Sequence, residues 1–136
     1  MWFYYAILSA CFASLTAITA KIGLIGINSN LATAIRTFIV LILSWSIVFA
    51  TDVQNEIYTI SNKNLIFLIL SGLSTGLSWL CYFKALQLGH ISHVAPIDKL
   101  SVVLTIILGI IFLHEPVTFK SIIGNILIVS GILMFL

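Results

Sequence analysis

The sequence predicts an all-α integral membrane protein with five transmembrane helices forming one domain over residues 1–136, and two observations carry that prediction. Hydrophobic residues make up 61% of the chain and charged residues only 7%, where a soluble domain carries roughly 25% charged residues. Six basic and four acidic side chains cannot cover a soluble core of this size. The second observation is length: residues 2–23, 31–50, 65–86, 94–113 and 119–136 meet or approach the roughly 20 apolar residues that cross a bilayer. β-Barrel strands would be about half as long and would alternate in polarity, which these segments do not.

The first span opens with Trp2, Tyr4 and Tyr5, aromatic residues suited to a membrane interface. It has no basic leader, so it reads as a retained helix and not as a signal peptide. Tyr5, Ser9, Phe12, Thr16 and Ala20 share one face. Gly23, Gly26, Asn28 and Asn30 then break the chain. The second span carries Arg36, and residues 52–64 form the one hydrophilic loop.

The third span has a polar stripe of Ser71, Ser74, Thr75, Ser78 and Tyr82, together with the GxxxG pair Gly72 and Gly76. After the turn at Gly89 and His90, the fourth span repeats the pattern with Asp98, Ser101, Thr105 and Gly109. Pro96 is expected in the first turns of that helix, where its missing N–H is tolerated. Glu115 and Pro116 make the last turn. The fifth span holds Gly124 and Gly131 and reads as a packing or dimerisation helix.

Two readings of the stripes stand side by side. Helices one, three and four can line a shared cleft with their polar faces. Equally, small hydroxyl residues let helices approach closely and bond to their own backbone.

Five alternating spans gather Lys21, Arg36, Lys84 and Lys99 on one membrane side with Asp98. By the positive-inside rule that side is cytoplasmic, which puts the N-terminus outside and the C-terminus inside. Arg36 and Lys99 lie within spans, so the usable bias is smaller and dual topology stays open. Snorkelling explains Lys21, Lys84 and Lys99 as well as function does, but it explains Asp98 poorly, since a charge inside a span costs about 2.5–3.5 kcal/mol. Arg36, Lys84 and Lys21 are its candidate partners. His90 and His93 flank the same entry.

Scattered single basic residues exclude nucleic acid as a partner. Cys11 and Cys81 have no metal-ligand or redox spacing, and neither a metal nor a cofactor is expected. There is no HExxH or GxSxG motif and no facing pair of intramembrane aspartates, so the chain is not read as an enzyme.

Residues 85–133 resemble the repeat unit of EamA-type proteins in the drug/metabolite transporter superfamily: a helix ending near Glu115, then Thr118, then a final helix with Gly124 and Gly131. The five-helix length is similar to the single-repeat bacterial and archaeal transporters of that superfamily. Larger relatives join two such units in inverted orientation around a central cavity. The resemblance therefore implies a homodimer, antiparallel or not, in the prokaryotic cytoplasmic membrane. The superfamily's four-helix members carry a glutamate in their first helix for proton-coupled export. The first span here has no carboxylate, and that mechanism does not transfer.

The function expected is a small secondary transporter of a metabolite or drug-like solute, with Asp98, Lys99, Ser101, Thr105, Arg36, Lys84, Lys21, Ser74, Ser78, Tyr82 and Thr16 along the substrate or ion path, and Gly72, Gly76, Gly109, Gly124 and Gly131 packing the helices. The alternative is a membrane subunit that transports nothing alone, or one half of a hetero-oligomeric transporter or lipid-carrier flippase.

Overall fold

The computed structural model describes residues 1–135, and it consists of helices joined by short turns, with no strand among the described residues. The elements are α1 (Trp2–Gly23), α2 (Ser29–Ala50), a short 3-10 helix (Gln54–Thr59), α3 (Asn62–Leu88), α4 (Ile91–Asp98), α5 (Leu100–Leu113) and α6 (Phe119–Leu133). Four apolar stretches are long enough to cross a bilayer: α1, α2, α3 and the 23 residues Ile91–Leu113. The last helix, α6, is a shorter apolar segment of 15 residues. Its predicted end at Leu136 lies outside the described residues.

Helix starts differ from the predicted spans where polar residues supply the first turn. Asn28 caps α2 by accepting the Asn30 N–H at 2.9 Å, and so the helix begins at Ser29. Ser61 does the same for α3, accepting from the Asn64 N–H at 3.2 Å, which folds Asn62, Lys63 and Asn64 into the helix. Apolar periodicity does not register such turns.

The fourth span differs most. It begins at Ile91, with the Val94 N–H bonded to the His90 carbonyl at 3.0 Å, and so Pro96 falls inside the helix instead of in its first turns. Proline has no N–H to give the carbonyl of Ser92, four residues back, and its ring crowds that carbonyl. The helix breaks two residues later: Lys99 bonds three residues back to Pro96 at 3.0 Å, and Val102 bonds three residues back to Lys99 at 3.0 Å. This local tightening separates α4 from α5.

The chain divides into two compact units, Thr19–Gln87 and the remainder, Met1–Ile18 with the chain from Leu88 onward. The first of these has its core at one end, where Ala20 and Leu24 of α1 meet Phe83 and Leu86 of α3, all buried. Ser29 and Thr33 of α2 are buried there too. The Thr33 hydroxyl donates to the Ser29 carbonyl at 2.8 Å, which satisfies it.

In the other unit α5 packs against α6. The turn between them opens at His114, which adopts φ 53°, and the Glu115 N–H reaches back to the Gly109 carbonyl at 3.4 Å. A Cβ on Gly109 would meet the end of the Glu115 side chain at 3.4 Å, a contact that this flexible side chain can accommodate. Elsewhere most large apolar side chains are exposed, as expected of a surface that faces hydrocarbon.

Candidate functional site

Two constellations emerge, one in each unit. In the Thr19–Gln87 unit, the guanidinium of Arg36 on α2 rests against two aromatic rings of α3, its Cζ 4.1 Å from the Phe83 centroid and 5.7 Å from that of Trp79. Trp79 and Phe83 stand four residues apart and so share a helix face. Cation–π contact of this kind offsets part of the cost of a charge within a span. The buried Nη1 has no hydrogen-bond partner.

Arg36 also lines a cavity of about 330 Å³ whose other walls include Thr19, Ala20, Leu24, Ala32 and Ile35. The wall is apolar apart from Thr19 and the guanidinium itself.

Lys21 and Lys84 have other engagements. Lys21 donates its ammonium to the Leu86 carbonyl, and the Gln87 amide donates to the Ile27 carbonyl at 2.7 Å. Lys84 donates to the Gln87 Oε1 at 3.3 Å. The Lys21 and Gln87 bonds fasten the end of α1 and the α1–α2 turn to the end of α3.

The predicted stripe of α3 is partly self-satisfied. Ser74 donates to the Leu70 carbonyl and Thr75 to the Ser71 carbonyl, both at 2.9 Å, and Ser74 and Ser78 are exposed. Tyr82 packs edge-on to Phe83 at 5.6 Å between centroids. A Cβ on Gly72 or Gly76 would meet nothing within 4 Å, and the same holds for Gly124 and Gly131.

In the other unit, the break in the fourth span holds the Asp98–Lys99 pair. The Lys99 ammonium donates to the Asp98 Oδ2 at 3.3 Å, with the side chains 57% and 35% exposed respectively. The neighbours Ser101 and Thr105 on α5 are exposed, and Gly109 of the same stripe is buried. His93 is tied down: its Nδ1 lies 2.8 Å from the Phe135 carbonyl. A carbonyl only accepts, so that nitrogen carries the proton. Thr16 of α1 is half-buried. No metal-binding cluster of His, Cys, Asp or Glu occurs among the described residues.

Sequence reasoning missed Trp79, Phe83 and Gln87. The first two had a readable signal: a lone arginine in an apolar span needs a partner, and two aromatics four residues apart supply one. Gln87 had none, because its bond to Ile27 depends on how two helix ends meet.

The Asp98–Lys99 break, the aromatic-backed arginine and the long apolar helices are features of a multi-pass membrane protein, and comparison with known proteins agrees. The model of the EamA-like transporter family matches residues 1–136. The chain is 46% identical over 133 residues, covering 98% of itself and 94% of its relative, to an uncharacterized transporter in the cobO 3′ region of Sinorhizobium sp.. It is also 33% identical over 81 residues to an uncharacterized protein of Methanocaldococcus jannaschii, covering 60% of this chain and 58% of that one. No solved structure is significantly similar to it. The whole-length family match, together with a relative that is itself named a transporter, makes this chain a membrane transporter of the EamA-like transporter family.

Proposed function

We propose that the protein is a small secondary transporter that moves a small metabolite or drug-like solute across the prokaryotic cytoplasmic membrane by alternating access, with Asp98 as its ion- or proton-responsive group. The observation that carries this reading is the break in the fourth span, where Pro96 interrupts the helix and Asp98 lies beside Lys99. Many secondary transporters place their sites where a helix is discontinuous, because unwound backbone and helix ends can meet a solute there. An alternating cycle needs a group whose charge or partner depends on state, and Asp98 exchanges between Lys99 and a proton or cation.

The working unit in this reading is a homodimer of five-span chains. Gly72 and Gly76 support it, since their backbone is left bare for a second helix. The basic residues Lys21 and Lys84 favour an orientation with the N-terminus outside.

Proteoliposomes holding a pH-sensitive dye and challenged with a panel of small solutes test the proposal. At least one solute should drive proton movement, and Asp98→Asn should remove it while Lys63→Gln, at an exposed position outside the path, retains it. Equal flux with Asp98→Asn and without would show that Asp98 has no such role.

A further inference from the structure

We infer that the cavity beside Arg36 is a binding site for a singly charged amphiphilic anion: one anionic pair of oxygens, of the carboxylate or phosphodiester type, on an apolar body. Three observations point there. The guanidinium stays charged under all ordinary conditions, and it lies over the Phe83 ring with Trp79 farther off; neither ring offers its N–H groups a full hydrogen-bond acceptor. Its Nη1 is covered by protein and has no partner, a costly state for a charged donor that an anion in the cavity relieves once the side chain turns toward it. The acids of its own unit, Asp52 and Glu56, lie beyond the far end of α2. Arg36 is fourteen residues from that end at Ala50, about 21 Å along the helix axis.

The cavity selects the rest of the ligand. At about 330 Å³ it lies in the range of roughly 300–1,000 Å³ that holds small organic ligands, and its apolar wall disfavours a bare hydrated ion such as inorganic phosphate. A single cation matches a single negative charge. The nearby Lys21 ammonium is held on the Leu86 carbonyl and is not part of the cavity wall. A guanidinium edge binds two oxygens in parallel, as carboxylates and phosphodiesters present them.

The ligand is the transported substrate only if the reading under Proposed function holds. Binding is measured at equilibrium without a gradient, so a failure of transport leaves the site standing, and a failure of binding leaves Asp98-dependent transport standing.

The test uses the full chain in phosphatidylcholine nanodiscs with Trp2→Phe and Trp45→Phe, so that Trp79 is the remaining indole of three and reports on the adjacent guanidinium. One arm titrates octanoate, with octanol as the uncharged control; the other raises the fraction of phosphatidylglycerol. A saturable change in Trp79 emission should appear with octanoate and not with octanol. Arg36→Gln should weaken it at least tenfold, and Arg36→Lys should weaken it less. Ala32→Phe, which fills the cavity and leaves the charge, should weaken it comparably and decides the matter if Arg36→Gln does not fold. An Arg36-dependent response in the phosphatidylglycerol arm alone supports the site and makes a membrane lipid its occupant. No saturable response in either arm, or a response unaltered by Arg36→Gln and Ala32→Phe, overturns the proposal.

Discussion

The guanidinium carbon of Arg36 lies 4.1 Å from the centre of the Phe83 ring, and that ring is 2% exposed. One side chain thus fills the core of its unit and backs the charge in the second span.

Phe83→Ala should therefore be the most damaging single truncation in the Thr19–Gln87 unit, costing about 3–5 kcal/mol as a large buried ring is removed. Phe83→Leu keeps most of the volume and should cost about 1.5 kcal/mol. Unfolding followed by circular dichroism in detergent micelles checks both. Equal losses would mean that the ring's volume matters little and its aromatic face decides.

Asp98→Asn and Lys99→Gln should separate stability from activity. The pair is partly exposed, and such pairs contribute about 0–1 kcal/mol. Melting temperatures should stay near wild type for both, while solute-driven flux falls for Asp98→Asn. A large drop in melting temperature would instead make the pair a structural fastening.

Pro96→Ala should let α4 and α5 join. Restoring the N–H allows a bond to the Ser92 carbonyl and removes the clash of the ring, so amide exchange around residues 97–100 should slow by tenfold or more. Stability should hold or rise, and transport should fall if the break is used in the cycle. Unchanged exchange would place the cause of the break elsewhere than in the proline.

His114→Gly should stabilise the turn between α5 and α6. A residue with a Cβ at φ 53° is strained, and glycine relieves about 1 kcal/mol of that cost, while the larger freedom of glycine when unfolded returns part of the gain. The expected result is a melting temperature a few degrees higher; a lower one would show that the His114 side chain makes a contact worth more than the strain.

Much of the fold was legible in the sequence because a span is a bulk property: apolar length alone located the centres of α1, α2 and α3. The ends were not, since Asn28 and Ser61 set the starts of α2 and α3 through single side-chain hydrogen bonds that an average over apolar residues does not weigh. Pro96 was visible and its consequence was not, because a shift of the helix start from Val94 to Ile91 changes it from a tolerated residue to a disruptive one. For the candidate site, Arg36 and Asp98 stood out as charges in apolar runs. The aromatic pair Trp79 and Phe83 was a readable partner for Arg36, but the bond from Lys21 to Leu86 joins residues more than sixty positions apart, which no local pattern in α1 or α3 encodes.

The bonds from Lys21 to Leu86 and from Gln87 to Ile27 have a mechanical consequence. With the buried side chains of this unit at the same end, they make a stiff root from which α2 and α3 project toward the hydrophilic loop at residues 51–61. The loop end holds no fully buried side chain among the described residues. Opening motions within the unit should therefore pivot about Lys21 and Gln87, with α2 and α3 yielding first toward the loop. Amide exchange along α3 should accordingly be fastest near Asn62 and slowest near Leu86, a gradient set by where the bundle is riveted and not by the helix propensity of the residues along it.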